Sequence, residues 1–162
     1  MMLVVGSKGG VGATQVALEL ARQSAAIALD LADGQLAAQL SRPSWMLGAE
    51  LYQVGSSQRA QFIETILKRR ITLVWTPVCG APDATWTFVQ AIDQRQPVVI
   101  DGGLEPPVNL DPLLTAVLIV TQDNAMARWH EAQLRVRFPR AHVIAGTREA
   151  AREWAAQNMT GV

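Results

Sequence analysis

Cysteine is almost missing from these 162 residues: Cys79 stands alone, so no intrachain disulfide can form and no cysteine-based metal cluster fits. Histidine is nearly as scarce. His130 and His142 have no second histidine or cysteine near them in sequence, which reads as surface or structural placement rather than metal ligation. An excess of one charge is also lacking, because fourteen Lys and Arg cancel fourteen Asp and Glu. That balance argues against a partner held by bulk charge, such as extended nucleic acid or an anionic membrane. No apolar run reaches the ~18 residues of a membrane span, and Met1 to Val5 is too short for a secretory leader. A cytoplasmic, reducing location with no membrane anchor is the expectation.

What the chain does have is apolar content, 49% against 17% charged, enough to bury a sizeable core within one domain over residues 1–162. Short apolar runs recur at Leu3 to Val5, Ala26 to Leu29, Ile71 to Trp75, Val98 to Ile100, Val117 to Val120 and Val143 to Ala145. Between them, Thr14 to Gln23, Ser57 to Arg69, Ala84 to Gln94, Asn124 to Val136 and Arg148 to Gln157 can each place apolar residues on one helical face. This alternation predicts an α/β fold in three layers, a mainly parallel sheet flanked by helices. Ligands in such folds bind at the carboxyl ends of strands, where Gly6, Asp30, Thr76, Asp101, Thr121 and Gly146 fall here.

The first of those ends carries the chemistry. Ser7-Lys8-Gly9-Gly10-Val11-Gly12-Ala13-Thr14 follows an apolar strand and resembles a phosphate-binding loop, G-x-x-x-x-G-K-[ST]. In such loops glycines let backbone N–H groups curl around phosphate oxygens, the lysine neutralises the terminal phosphates, and the hydroxyl residue holds magnesium. Ala13 occupies the lysine position. A dinucleotide G-x-G-x-x-G register cannot be laid over Gly6 to Thr14. Asp101 ends an apolar strand and precedes two glycines, a poor place for a purely structural acid.

Lys8-Gly9-Gly10-Val11-Gly12 resembles the deviant phosphate loop, K-G-G-x-G-K-[ST], of the ParA/MinD family of positioning and partitioning ATPases. Ile27-Ala28-Leu29-Asp30-Leu31 is similar to the family's strand ending in Asp-x-Asp, and Pro97 to Gly103 to its Walker B and switch II segment. Ala116 to Thr121 and the following helix are similar to the stretch after switch II. The resemblance implies a P-loop NTPase-like fold and ATP or ADP with Mg2+ as cofactor. Its nucleotide site would comprise Lys8, Gly9, Gly10, Val11, Gly12, Ala13, Thr14 and Gln15, with Thr14 and Asp101 at the metal. It further implies a face-to-face homodimer in which Lys8 reaches the partner's nucleotide. The chain departs from the family pattern at Ala13, at Ala32, where the second acid of Asp-x-Asp would orient water, and at Ile144 to Arg148, which lacks the base-reading asparagine. It also resembles a C-terminally shortened member.

Three functions follow as alternatives. One is a degenerate adaptor or scaffold that binds another protein in a polar, pilus, secretion or partition system, without appreciable ATP hydrolysis. Another is a slow Mg-dependent ATPase in which Lys8 substitutes for the lysine and Asp33 moves into the water position. A third is non-specific DNA binding through six arginines after residue 125 against three glutamates. Asp30 reads equally as a helix cap or a switch residue, Cys79 as a small loop or core residue, and Trp45 and Trp86 as core residues or partner anchors. The residues 155–162 lack the basic amphipathic helix by which MinD-like members sit on membranes.

Overall fold

A computed structural model describes residues 1–32, 34–47, 55–75 and 82–159. Its centre is a parallel sheet of seven strands: β1 (Met2–Gly6), β2 (Ile27–Asp30), β3 (Ser44–Leu47), β4 (Thr72–Trp75), β5 (Val98–Asp101), β6 (Ala116–Thr121) and β7 (His142–Ala145). They lie in the order β3-β4-β2-β5-β1-β6-β7, and every described pairing is parallel. The connecting helices are α1 (Ala13–Gln23), α2 (Gln35–Leu40), α3 (Ser56–Arg69), α4 (Pro82–Asp93), α5 (Ala125–Arg137) and α6 (Arg148–Asn158), with a 3-10 turn at Val108–Leu113.

Side chains alternate across each strand, so a run apolar at every position must be covered on both faces. In β1, Leu3 and Val5 join Ile66, Trp86, Phe88, Ile92 and Phe138, contributed by α3, α4 and the end of α5. Met2 and Val4 point the other way, to Val16, Leu20, Leu36, Ala151 and Trp154 from α1, α2 and α6. Two apolar layers therefore sandwich the sheet, which is the three-layer α/β class expected.

All six expected strands and all five expected helices are present. The sequence reading missed β3 and α2. Ser44-Trp45-Met46-Leu47 forms an edge strand with one neighbour and only Leu47 buried, so it presents no continuous apolar run. α2, six residues long, is too short to show helical periodicity. The strand carrying Ile144 is accordingly the seventh rather than the sixth.

Candidate phosphate-binding cleft

β1 lies between β5 and β6, so its carboxyl end meets the ends of both. The Gly6 N–H donates to the Gly103 carbonyl at 2.9 Å, the Ser7 N–H to Val120 at 2.8 Å, and the Gly102 N–H to Val4 at 2.8 Å. Ser7 Oγ reaches Thr121 Oγ1 at 3.2 Å, and Gln122 Nε2 donates to the Gly10 carbonyl at 3.3 Å. The loop is thus tied on both sides. Gly12, in the left-handed region at φ 93°, turns the chain into α1, whose start has no side-chain cap and no acidic residue in its first turn. The first-turn N–H groups of α1 remain free of side-chain caps and favour an anion.

A second glycine makes this turn fit. A Cβ on Gly146, which follows β7, would lie 1.6 Å from the Val11 carbonyl oxygen, and one on Gly12 would lie 2.4 Å from the Gly146 oxygen. The loop after β7 and the phosphate loop pack backbone against backbone. Where the resemblance calls for a base-reading side chain nearby, position 146 has no room for one.

The loop opens on a cleft of about 560 Å³ lined by Lys8 through Gln15, Ala32, Asp101 and the segment Gly102 to Glu105. Each proposed nucleotide residue and both proposed magnesium residues therefore border the same space. Asp101 is 1% exposed and accepts a hydrogen bond from the Gly103 N–H at 3.4 Å. Lys8 is partly exposed and has no ion pair among the described residues. Gln15 is engaged elsewhere, donating to Gln39 at 2.9 Å and accepting from Arg148 at 3.1 Å. Backbone amides, the Thr14 hydroxyl and the Asp101 carboxylate suit a phosphate and a hard cation such as magnesium. Ala13 and Ala32 add neither a cation nor an acid to that cleft.

No protein-family model and no curated protein matches the chain. Among solved structures it is similar to a ParA family ATPase from Chlorobium tepidum TLS, with a TM-score of 0.69 and 17% identity over 88% of this chain and 72% of that one. The fold is ParA-like. In this ParA-like frame Asp30 is a cap: it is 1% exposed, and its carboxylate accepts from the N–H groups of Ala32 at 3.1 Å, Gly34 at 3.2 Å and Ala37 at 3.1 Å. All three donors belong to the turn into α2 or its first turns.

Other expectations are redistributed. Trp86 is buried beside Trp75, and Trp45 packs on Phe62 and Phe88. The exposed tryptophan is Trp129, 59% accessible, which the sequence reading did not single out. It shares an outward face of α5 with Met126 and Val136, a spacing of three and seven residues that was legible but was read as part of an ordinary amphipathic helix. His130 sits edge-on to Trp129 and His142 edge-on to Trp154. Four of the six C-terminal arginines are in ion pairs: Arg128 with Asp123, Arg135 with Glu131, Arg137 with Asp111 and Arg152 with Glu19. Arg140 and Arg148 have no ion pair among the described residues. No described helix is long and apolar enough to cross a membrane. Asp33, Thr76, Cys79 and residues 160–162 lie outside the described residues.

Proposed function

We propose that this ParA-like chain is a degenerate relative of the ParA/MinD ATPases that works as a partner-binding adaptor or scaffold, with little or no ATP hydrolysis. One observation carries the reading. The cleft retains the amide cradle, Thr14 and Asp101, yet Ala13 and Ala32 stand where a cation and a water-orienting acid would act. Phosphoryl transfer depends on positioning and charge stabilisation, so losing both groups costs orders of magnitude in rate while leaving backbone anion contacts in place. Bound nucleotide would supply a phosphate anion and magnesium to that cradle, and the loop amides, Thr14 and Asp101 would hold them. The face of α5 bearing Met126, Trp129 and Val136 gives a protein partner apolar surface close to the cleft, since Trp129 and the cleft residue Leu104 line one groove.

A second reading, a slow Mg-dependent ATPase, is favoured by Lys8 alone, which borders the cleft and has no ion pair among the described residues. Calorimetric titration with Mg-ATP and a turnover assay, on wild type, Ala13→Lys and Lys8→Ala, separate the two. The adaptor reading expects background turnover in wild type and Lys8→Ala, and Ala13→Lys tightening Mg-ATP by roughly tenfold, about 1.4 kcal/mol. Turnover above background in wild type that disappears in Lys8→Ala establishes the slow ATPase instead.

A further inference from the structure

The opposite end of the sheet carries a second basic feature, which meets the cleft only through Gln39, a residue that lines the cleft and accepts from Arg22. Arg42 and Arg70 each stand two residues ahead of the first register pair of β3 and β4, Ser44 opposite Thr72. The Thr72 N–H donates to the Pro43 carbonyl at 2.8 Å, so the two approaches run side by side. Arg22, in the last turn of α1, arrives at the same edge because α1 begins at the cleft and runs back along the sheet. Two of the guanidinium groups are held by backbone: Arg42 Nη1 donates to Ala26 at 3.4 Å and Arg22 Nη2 to Gln39 at 3.3 Å. Lys68 and Arg69, in the last turn of α3, add charge beside Arg70.

No acid balances this group among the described residues. Of the acids at this edge, Glu64 pairs with Arg95 at 2.6 Å, and Asp93 holds the Met1 ammonium at 2.7 Å and the Val98 N–H at 3.0 Å. Glu19, on α1 with Arg22, pairs with Arg152. Burial, then the like charges of Arg70 and Arg22, push the Arg42 guanidinium below its usual value. Like charges gathered without a counter-ion oppose folding, and in a chain of zero net charge the acids to neutralise them exist but lie elsewhere.

We propose that Arg22, Arg42 and Arg70 form a binding site for a compact phosphate dianion, of the phosphomonoester class, at the amino-terminal edge of the sheet. Guanidinium groups suit this ligand because each offers several N–H donors in a planar fork matched to phosphate oxygens. The charges converge on the half-buried Arg42 rather than forming a stripe, which favours one dianion over the evenly spaced phosphates of a duplex. A four-residue strand spans ~13 Å, so the site is separate from the phosphate loop. The inference does not rest on the function proposed for the cleft.

The test is a titration of the ¹⁵N-labelled chain with sodium phosphate at pH 7.5, against sodium chloride at matched ionic strength, followed by amide chemical shifts. Saturable shifts at Ala26, Ser41, Ile71 and Thr72 are expected. They weaken about tenfold or more in Arg42→Gln/Arg70→Gln, while any response of Gly9 to Thr14 is unchanged and is altered only by Lys8→Gln. If the double variant loses its dispersed spectrum, Arg22→Gln, at an exposed position, carries the test with an expected weakening of roughly threefold. Shifts confined to Gly9 to Thr14, edge shifts reproduced by chloride, or edge shifts indifferent to the arginine variants overturn the proposal. So does arginine-dependent binding of a 20-base-pair duplex or of phosphatidylglycerol vesicles without any response to phosphate, because the ligand is then an extended polyanion.

Discussion

At the scale of single residues, the decisive positions are those with the smallest side chains. Gly12 and Gly146 let two loops touch through backbone alone, and an added methyl at Gly146 would fall 1.6 Å from a carbonyl oxygen. Since that oxygen belongs to Val11, relief must come from moving the phosphate loop or the loop after β7. Gly146→Ala is expected to cost about 1–3 kcal/mol in urea unfolding and to weaken any Mg-nucleotide binding measured by calorimetry. Unchanged stability and affinity would mean that the two loops separate freely. Ala13 and Ala32 were visible in the sequence as departures from a motif. Gly146 was visible only as a missing asparagine, because steric contact between residues so far apart in the chain leaves no local pattern.

Elements explain why Asp30 was ambiguous in the sequence. An acid at the end of a strand has the same signature whether it serves a ligand or a following helix, and α2 was too short to announce itself. With α2 in place, three N–H groups claim both oxygens of Asp30. Asp30→Ala should therefore cost about 1–2 kcal/mol and speed amide exchange at Ala37 before the rest of the sheet is affected. Exchange that accelerates uniformly would argue that α2 does not open on its own. The long elements were legible for the opposite reason: fully buried strands such as Val98–Asp101 read as unbroken apolar runs, and their helices span enough turns to show a face. What escaped was the edge strand β3 and the arginine group beside it, since Arg22, Arg42 and Arg70 converge only through strand register.

At the scale of the whole molecule, stability should depend on pH through the tie between α1 and α6. The Arg152 hydrogen bond holds the nearly buried Glu19 carboxyl below the usual glutamate value, against burial, which acts the other way, and with help from Gln23. A carboxyl lowered on folding stabilises the native state above its unfolded value, and that stabilisation is lost as pH falls through its lowered folded value. Arg152→Gln should therefore unfold at lower urea than wild type at pH 7, with the gap narrowing in acid as Glu19 becomes protonated in both. A gap independent of pH would assign the effect of Arg152 to packing.

The place of β1 in the sheet has a consequence in time. It precedes the other six strands in the chain, yet both of its neighbours, β5 and β6, come from residues 98–101 and 116–121. A nascent chain that has reached α4 holds Met2 to Gly6 with no partner strand, and an apolar segment in that condition is a target for chaperones or for mispairing. The loop that gives this protein its most recognisable chemistry thus acquires its shape only after about a hundred further residues have been synthesised.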